Sequence, residues 1–275
     1  MFHELLFLPQ FNPVTTIVVI ITFFILGAAL GSFACCQARR LHLKEQKKRL
    51  GSRSVCLHCK YQLKWYDNIP LFSWLILGGR CRKCKKSIGY SEIISEFALG
   101  FIFALFGANF IFTADFTPLV IIKFPILLLA LTALWILLLY DAKWGRLPVS
   151  TLVVANLLSL IYAVLTLINS PNLLTALLNL VLAIGLLAGV YYLLYFFSRE
   201  SLVGSGDWLL CLALALLLGH WWLAVIELFL ANLLASIASL PAFVKKGQKK
   251  IFFGPFLIIA FIIIHLTSAW LMSLI

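Results

Sequence analysis

Residues 118–140 read PLVIIKFPILLLALTALWILLLY, with Lys123 as the single charge. A helix crossing the hydrocarbon of a bilayer needs about 20 consecutive apolar residues. A helix on the surface of a soluble domain carries a polar face, and this run has none. Its solvent is therefore lipid. Runs of the same kind lie near 14–36, 91–112, 149–168, 173–197, 207–219, 221–243 and 251–273, the one at 207–219 being short. Of the 275 residues, 63% are hydrophobic and 12% charged, and the mean hydropathy is +1.05. Soluble domains average about 45–50% apolar and about 25% charged residues. The expected fold is an all-α polytopic membrane protein of about eight transmembrane helices. Disorder, collagen-like repeats and secreted disulfide scaffolds are excluded by the same composition. No 20–50-residue repeat is visible.

Charge predicts the orientation. If the run at 14–36 ends inside, the inside segments 37–90, 141–148, 198–206 and 244–250 hold 14, 2, 1 and 4 Lys and Arg, leaving only Lys123 of 22 elsewhere. That bias is the positive-inside rule. It predicts both termini outside and the loop 37–90 in the cytoplasm. The net charge of +12 then reflects orientation, with some attraction to anionic headgroups, and nucleic-acid binding is not expected. Residues 1–13 lack a basic region and no small-residue cleavage site follows, so the first run is expected to be retained as a span.

The one soluble segment, 37–90, contains Cys56-Leu57-His58-Cys59 and Cys81-Arg82-Lys83-Cys84. Two-residue spacing lets both thiolates of a pair reach one tetrahedral ion. Neighbouring Lys60, Arg80, Arg82, Lys83, Lys85 and Lys86 favour the thiolate form. A four-cysteine zinc site with no open position, structural rather than catalytic, is the expected reading. Two disulfides or reduced bystander thiols are the alternatives, and a cytoplasmic location disfavours disulfides. His58 is a possible substitute ligand. A module this small with few apolar residues needs the metal to fold. Cys35, Cys36 and Cys211 read as small apolar residues at helix contacts, with lipidation of Cys35 or Cys36 as the other possibility.

Carboxylates are scarce and expensive at membrane depth, so each is a functional candidate. Asp141 follows the third run, and Asp207 opens the sixth, in Gly204-Ser205-Gly206-Asp207. An odd span ends on the cytoplasmic side and an even span begins there, so the two belong to one face. Two close carboxylates share a proton. One can then take a proton from water while the other donates to a scissile carbonyl. The bland reading is a pair of helix caps. Glu92 and Glu96 lie on one face of the second span, where dipole compensation competes with a role in a site. Glu227, Asn232 and His265 are candidates for bonds between helices, and His220 lies in a turn.

Together these residues resemble the bacterial type IV prepilin leader peptidases, which are bifunctional peptidase/N-methyltransferases. The resemblance begins at Gly31-Ser32-Phe33 and runs through the doubled CxxC and Trp65-Tyr66-Asp67-Asn68-Ile69-Pro70-Leu71-Phe72-Ser73-Trp74. It continues through Gly79-Arg80-Cys81-Arg82, Ile88, Tyr90 and Glu96 to Asp141, the GxGD at 204–207 and Phe253-Gly254-Pro255-Phe256. This chain departs from the family pattern at Ala34-Cys35-Cys36, Val149 and Trp208.

The resemblance implies Asp141 and Asp207 as the catalytic pair, Cys56, Cys59, Cys81 and Cys84 as zinc ligands, and S-adenosylmethionine as methyl donor. It implies a first transmembrane helix at 1–36, a cytoplasmic zinc-binding, methyltransferase-associated module at 37–90, and a membrane-embedded aspartyl peptidase domain at 91–275. Substrates would be prepilins of the type IV pilus or pseudopilins of type II secretion. They would be cut after a Gly on the cytoplasmic side and methylated on the new N-terminal residue. Location would be the bacterial inner membrane, with periplasmic termini. Asp67 and its neighbours are candidates for methyl transfer. The competing readings are a GxGD protease acting on other membrane substrates and a membrane-anchored zinc module with a scaffolding role. A transporter ranks last, because its charges would lie near the midplane.

Overall fold

A computed structural model describes residues 12–46, 55–56, 58–113, 117–198, 204–244 and 252–273, without the side chains of Trp65, Asn68, Thr113 and 241–244. Glu4, Gly51, Leu57, Asp115, Glu200 and the basic runs at 47–49 and 245–250 lie outside the described residues. Among those described there is no strand, only isolated bridges between Val55 and Gln62 and between Arg80 and Ser87. The chain divides into two units, residues 1–115 and 116–275.

The first unit holds α1 (Pro13–Glu45), a 3₁₀ turn (Trp65–Asn68), the short α2 (Phe72–Ile76) and α3 (Ser91–Thr113). Asn12 caps α1, its Oδ1 accepting the Val14 N–H at 3.1 Å, with Pro13 in the first turn. The helix outruns its apolar stretch by about a third. Residues 37–45 are mostly good helix formers with no Gly or Pro to stop them. Against α3, α1 presents Gly27 and Gly31. A Cβ on Gly27 would stand 2.6 Å from Leu99 O, and one on Gly31 would stand 2.7 Å from Ser95 O. Small residues four apart let two helices touch backbone to backbone, which is the packing that lipid favours. Ser95 Oγ closes the seam by donating to Gly31 O at 3.1 Å.

The second unit holds α4 (Pro118–Trp144), α5 (Val149–Ile168), α6 (Leu173–Ile184), α7 (Val190–Ser198), α8 (Ser205–Leu218), α9 (Trp221–Val244) and α10 (Gly254–Met272). A π-helical turn, Gly185–Gly189, joins α6 to α7 in one apolar span. Over the described residues, seven helices are long and apolar enough to cross a membrane, and α8 is a shorter apolar one. That is the expected polytopic all-α architecture. The core of this unit is α8, buried almost continuously from Leu210 to Leu218, together with the run Ala130–Leu137 of α4.

Two boundaries differ from the hydropathy reading, and both bear on the aspartates. Helix α4 continues past Tyr140 to Trp144, so Asp141 sits inside its last turn rather than after it. The stop is Gly145, at φ 63°, whose N–H returns to Asp141 O at 2.8 Å. Helix α8 starts at Ser205, which makes Asp207 its third residue. Apolar content marks where lipid begins, whereas caps mark where helices end.

Candidate active site and metal centre

Three chain segments of the second unit converge around the two aspartates: the end of α4, the start of α8 and the start of α10. Asp141 is buried, at 5% exposure. Its Oδ2 accepts the N–H of Gly254, the first residue of α10, at 3.1 Å. Gly254 has room for this only because it lacks a side chain, since a Cβ there would lie 2.7 Å from the same oxygen. Asp207 is half-buried, and its Oδ2 accepts the N–H of Gly204 at 2.9 Å. Each carboxylate therefore has one oxygen fixed by a backbone donor at a helix N-terminus, where the dipole favours negative charge.

Leu147 ties the segments of the two aspartates together. It packs 2.8 Å from the position a Cβ would take on Gly206 and 3.6 Å from the one on Gly254. Phe252 closes the same corner against Gly145. The glycines of GSGD thus serve close approach: Gly206 makes room for Leu147, and Gly204 offers its N–H. Asp141 is buried rather than a solvated helix end, whereas the Asp207 bond to Gly204 is a capping bond at the start of α8.

In the first unit, Cys56, Cys59, Cys81 and Cys84 gather with all four Sγ atoms within 4.8 Å of one another. Cys56 and Cys84 stand 3.8 Å apart, and Cys59 and Cys81 3.9 Å. A tetrahedron of thiolates about 2.3 Å from zinc has edges of about 3.8 Å. The donor set therefore fits zinc in size, number and chemistry. None of the seven cysteines is in a disulfide. The two pairs are built alike. Lys60 N–H donates to Cys56 O at 3.0 Å, and Lys85 N–H donates to Cys81 O at 2.9 Å. Lys60 and Lys85 both take positive φ, 60° and 58°. Each turn folds back so that its two thiols point to one place. Burial pushes the Cys56 thiol up, but the backbone N–H groups of Cys59 and His58 outweigh it and hold it at about 6.

Asp67, a candidate for methyl transfer by its motif, has both oxygens engaged within the module. Its Oδ1 takes the Arg82 guanidinium at 2.8 Å, its Oδ2 takes the Lys64 N–H at 3.2 Å, and its side chain is 1% exposed. It links the 3₁₀ turn to the second cysteine pair. The bond to Asp67 in turn holds Arg82 above its usual range. Glu92 pairs with Arg39. Glu96 is buried and accepts the Leu71 N–H at 2.7 Å, with a second hydrogen bond from Ser32. Ser32, Arg39, Asp67, Glu92 and Glu96 line one cavity of about 480 Å³.

The bacterial peptidase A24 N-terminal domain matches residues 25–110. A prepilin leader peptidase/N-methyltransferase of Legionella pneumophila is 30% identical over 243 residues, covering 82% of this chain and 77% of that protein. One of the same name from Vibrio cholerae is 28% identical over 229 residues, 70% of this chain and 86% of its own length. The Myxococcus xanthus relative matches more closely over less, 35% over 116 residues, 42% of this chain and 34% of that protein. No solved structure matches. The helical bundle and the four-cysteine module thus belong to a multi-pass membrane enzyme of the aspartic endopeptidase class. Within that class, the chain belongs to the prepilin leader peptidase/N-methyltransferase family.

Two features escaped the sequence. The Gly254 bond to Asp141 spans 113 positions, and only the Phe-Gly-Pro-Phe run pointed near it. The turn at Leu71 carried no signal, because a leucine at φ 61° is a position normally given to glycine.

Proposed function

We propose that this protein cleaves the leader of type IV prepilins or type II secretion pseudopilins at the cytoplasmic face of the inner membrane. It then N-methylates the new N-terminal residue. Asp141 and Asp207 form the catalytic pair: one takes a proton from the attacking water while the other donates to the scissile carbonyl. The single observation that carries this reading is that the segments of two aspartates from distant chain positions meet at Leu147, with one oxygen of each aspartate pinned to a backbone N–H. Pinning one oxygen leaves the other for water or peptide, and it fixes the pair in advance of the substrate. The substrate's own apolar helix, held in lipid, brings the scissile bond to a set depth.

Cys56, Cys59, Cys81 and Cys84 hold zinc in a structural role, as their tetrahedral spacing supports. S-adenosylmethionine supplies an electrophilic methyl group. The module at 37–90 carries that half of the activity together with the helices that hold it, and the peptidase half lies beyond, within 91–275. The positive-inside bias supports periplasmic termini. The partners are the pilin-like substrates and the surrounding lipid.

The test is cleavage, in membranes, of a prepilin-like substrate with a Gly-Phe junction. Wild type is compared with Asp141→Asn and Asp207→Asn at equal insertion. Loss in both variants is expected. Cleavage surviving in either one removes the dyad.

A further inference from the structure

Helix α2 is five residues long and divided between two surroundings. Ser73 and Trp74, with Leu77 just past its end, turn inward and line the cavity of the first unit. Phe72, Leu75 and Ile76, spaced i, i+3 and i+4, turn the other way and stand 66%, 62% and 78% exposed. Ile69, shortly before them, is exposed as well. Large apolar side chains grouped on one face are costly to leave in water, and such a patch marks a contact surface.

Two hydrogen bonds set the height of α2 along α3. Leu71, its N-cap, donates its N–H to Glu96 at 2.7 Å. Glu96 is the sixth residue of α3, about 7.5 Å along the axis from the helix start. Trp74 donates Nε1–H to Gly89 O at 3.0 Å and lies 5.5 Å from Tyr90 between ring centroids. Helix α2 is therefore held beside the first turns of α3. Those turns belong to a helix long and apolar enough to span the bilayer. Tyr90, Ile94, Phe97 and Phe101 run down it as one exposed stripe. The apolar face of α2 continues that stripe sideways, at the level where headgroups give way to hydrocarbon. Arg80 and Lys86, both exposed, flank the neck at 87–90 that leads into α3. They put positive charge where anionic lipid phosphates lie.

We infer that α2 is an interfacial segment, seated with Phe72, Leu75 and Ile76 in the leaflet at which α3 begins. Segments of this kind bury an apolar face about 5–10 Å into the boundary between headgroups and acyl chains. Five residues free in solution would bind a membrane weakly. Here α1 and α3 tether both ends of the module to the bilayer, so the segment meets the surface at high effective concentration. The module between α1 and α3 thus rests one edge in lipid, which holds it against the membrane. Only the spanning of α1 and α3 is needed for this, not the reaction proposed above.

The experiment is photocrosslinking of the full-length protein in nanodiscs of phosphatidylethanolamine and phosphatidylglycerol. Phe72, Ile76 or, as a control in the same module, the exposed Gln62 is replaced by p-benzoylphenylalanine, one at a time. Mass spectrometry of the irradiated protein should show lipid adducts from positions 72 and 76 and none above background from 62. The unmodified chain gives a second reading that needs no variant to fold. Hydroxyl radicals should oxidise the exposed His58 and leave Phe72 untouched in the same nanodiscs. Oxidation of Phe72, or equal lipid yields at 62 and 76, overturns the lipid seat. Crosslinks from 72 and 76 that fall on residues 116–275 instead of lipid overturn it too, and assign the patch to the second unit.

Discussion

The N–H of Gly254 donates to Oδ2 of Asp141 at 3.1 Å across 113 positions of sequence. A helix start at one end of the chain thereby sets the rotamer of a carboxylate near its middle. The position of Asp141 is thus a property of the bundle, because α4 supplies the residue and α10 supplies its orientation. Replacing Gly254 by Ala would put a methyl 2.7 Å from that oxygen and 3.4 Å from Cγ. The carboxylate must turn away. A displacement of about 1 Å at reacting atoms is worth about 100-fold in rate. Cleavage by Gly254→Ala should fall by about 10- to 100-fold at unchanged insertion, measured as kcat on a prepilin substrate.

Groups that act as one unit are not additive when removed. Asp141→Asn and Asp207→Asn should each lower cleavage by roughly 100- to 10,000-fold, the range of positioned acid–base catalysis. The double variant should be no worse than the weaker single one. A double variant that multiplies the two losses would mean that the aspartates act separately.

Gly31 faces backbone, not a flexible side chain. A Cβ there meets Ser95 O at 2.7 Å and Glu96 Cα at 2.8 Å, so α1 and α3 must move apart. Forced overpacking of this kind costs about 1–3 kcal/mol. Gly31→Ala should lower the thermal midpoint of the purified protein. Ala29→Gly, on an exposed face of the same helix turn, should change it only by the helix-propensity difference of about 1 kcal/mol.

Removing the metal should affect one region. Cys81→Ser, or prolonged chelation, is expected to take zinc from one per chain to none by atomic absorption. Limited proteolysis should then cut within 55–90, while far-UV circular dichroism keeps its helical amplitude, because the membrane helices do not draw on the metal. A protein that retains zinc after Cys81→Ser would point to His58 as the replacement ligand.

Most of the fold was legible because lipid is a strict solvent. Runs such as 118–140 have one physical interpretation, and the cysteine pairs carry their geometry in their spacing. Asp141 and Asp207 were legible as a pair through topology alone, since span parity puts them on one face. What sequence did not carry were relations without a local pattern. The end of α1 lay past its apolar stretch, because 37–45 is helix-forming but polar. Leu71 adopts a strained γ-turn, with Phe72 N–H on Pro70 O at 2.6 Å, and aims its own N–H at Glu96. The partners of Asp67, the Arg82 guanidinium and the Lys64 N–H, left no mark in its motif.

Helix α8 has 14 residues, which gives it a length of about 21 Å, against a hydrocarbon thickness of about 30 Å. A peptide bond drawn into lipid would be dry, and hydrolysis consumes water as its second reactant. The helix that carries Asp207 is about 9 Å shorter than the hydrocarbon is thick, so for the proposed reaction a water path along it need not run the full depth of the slab.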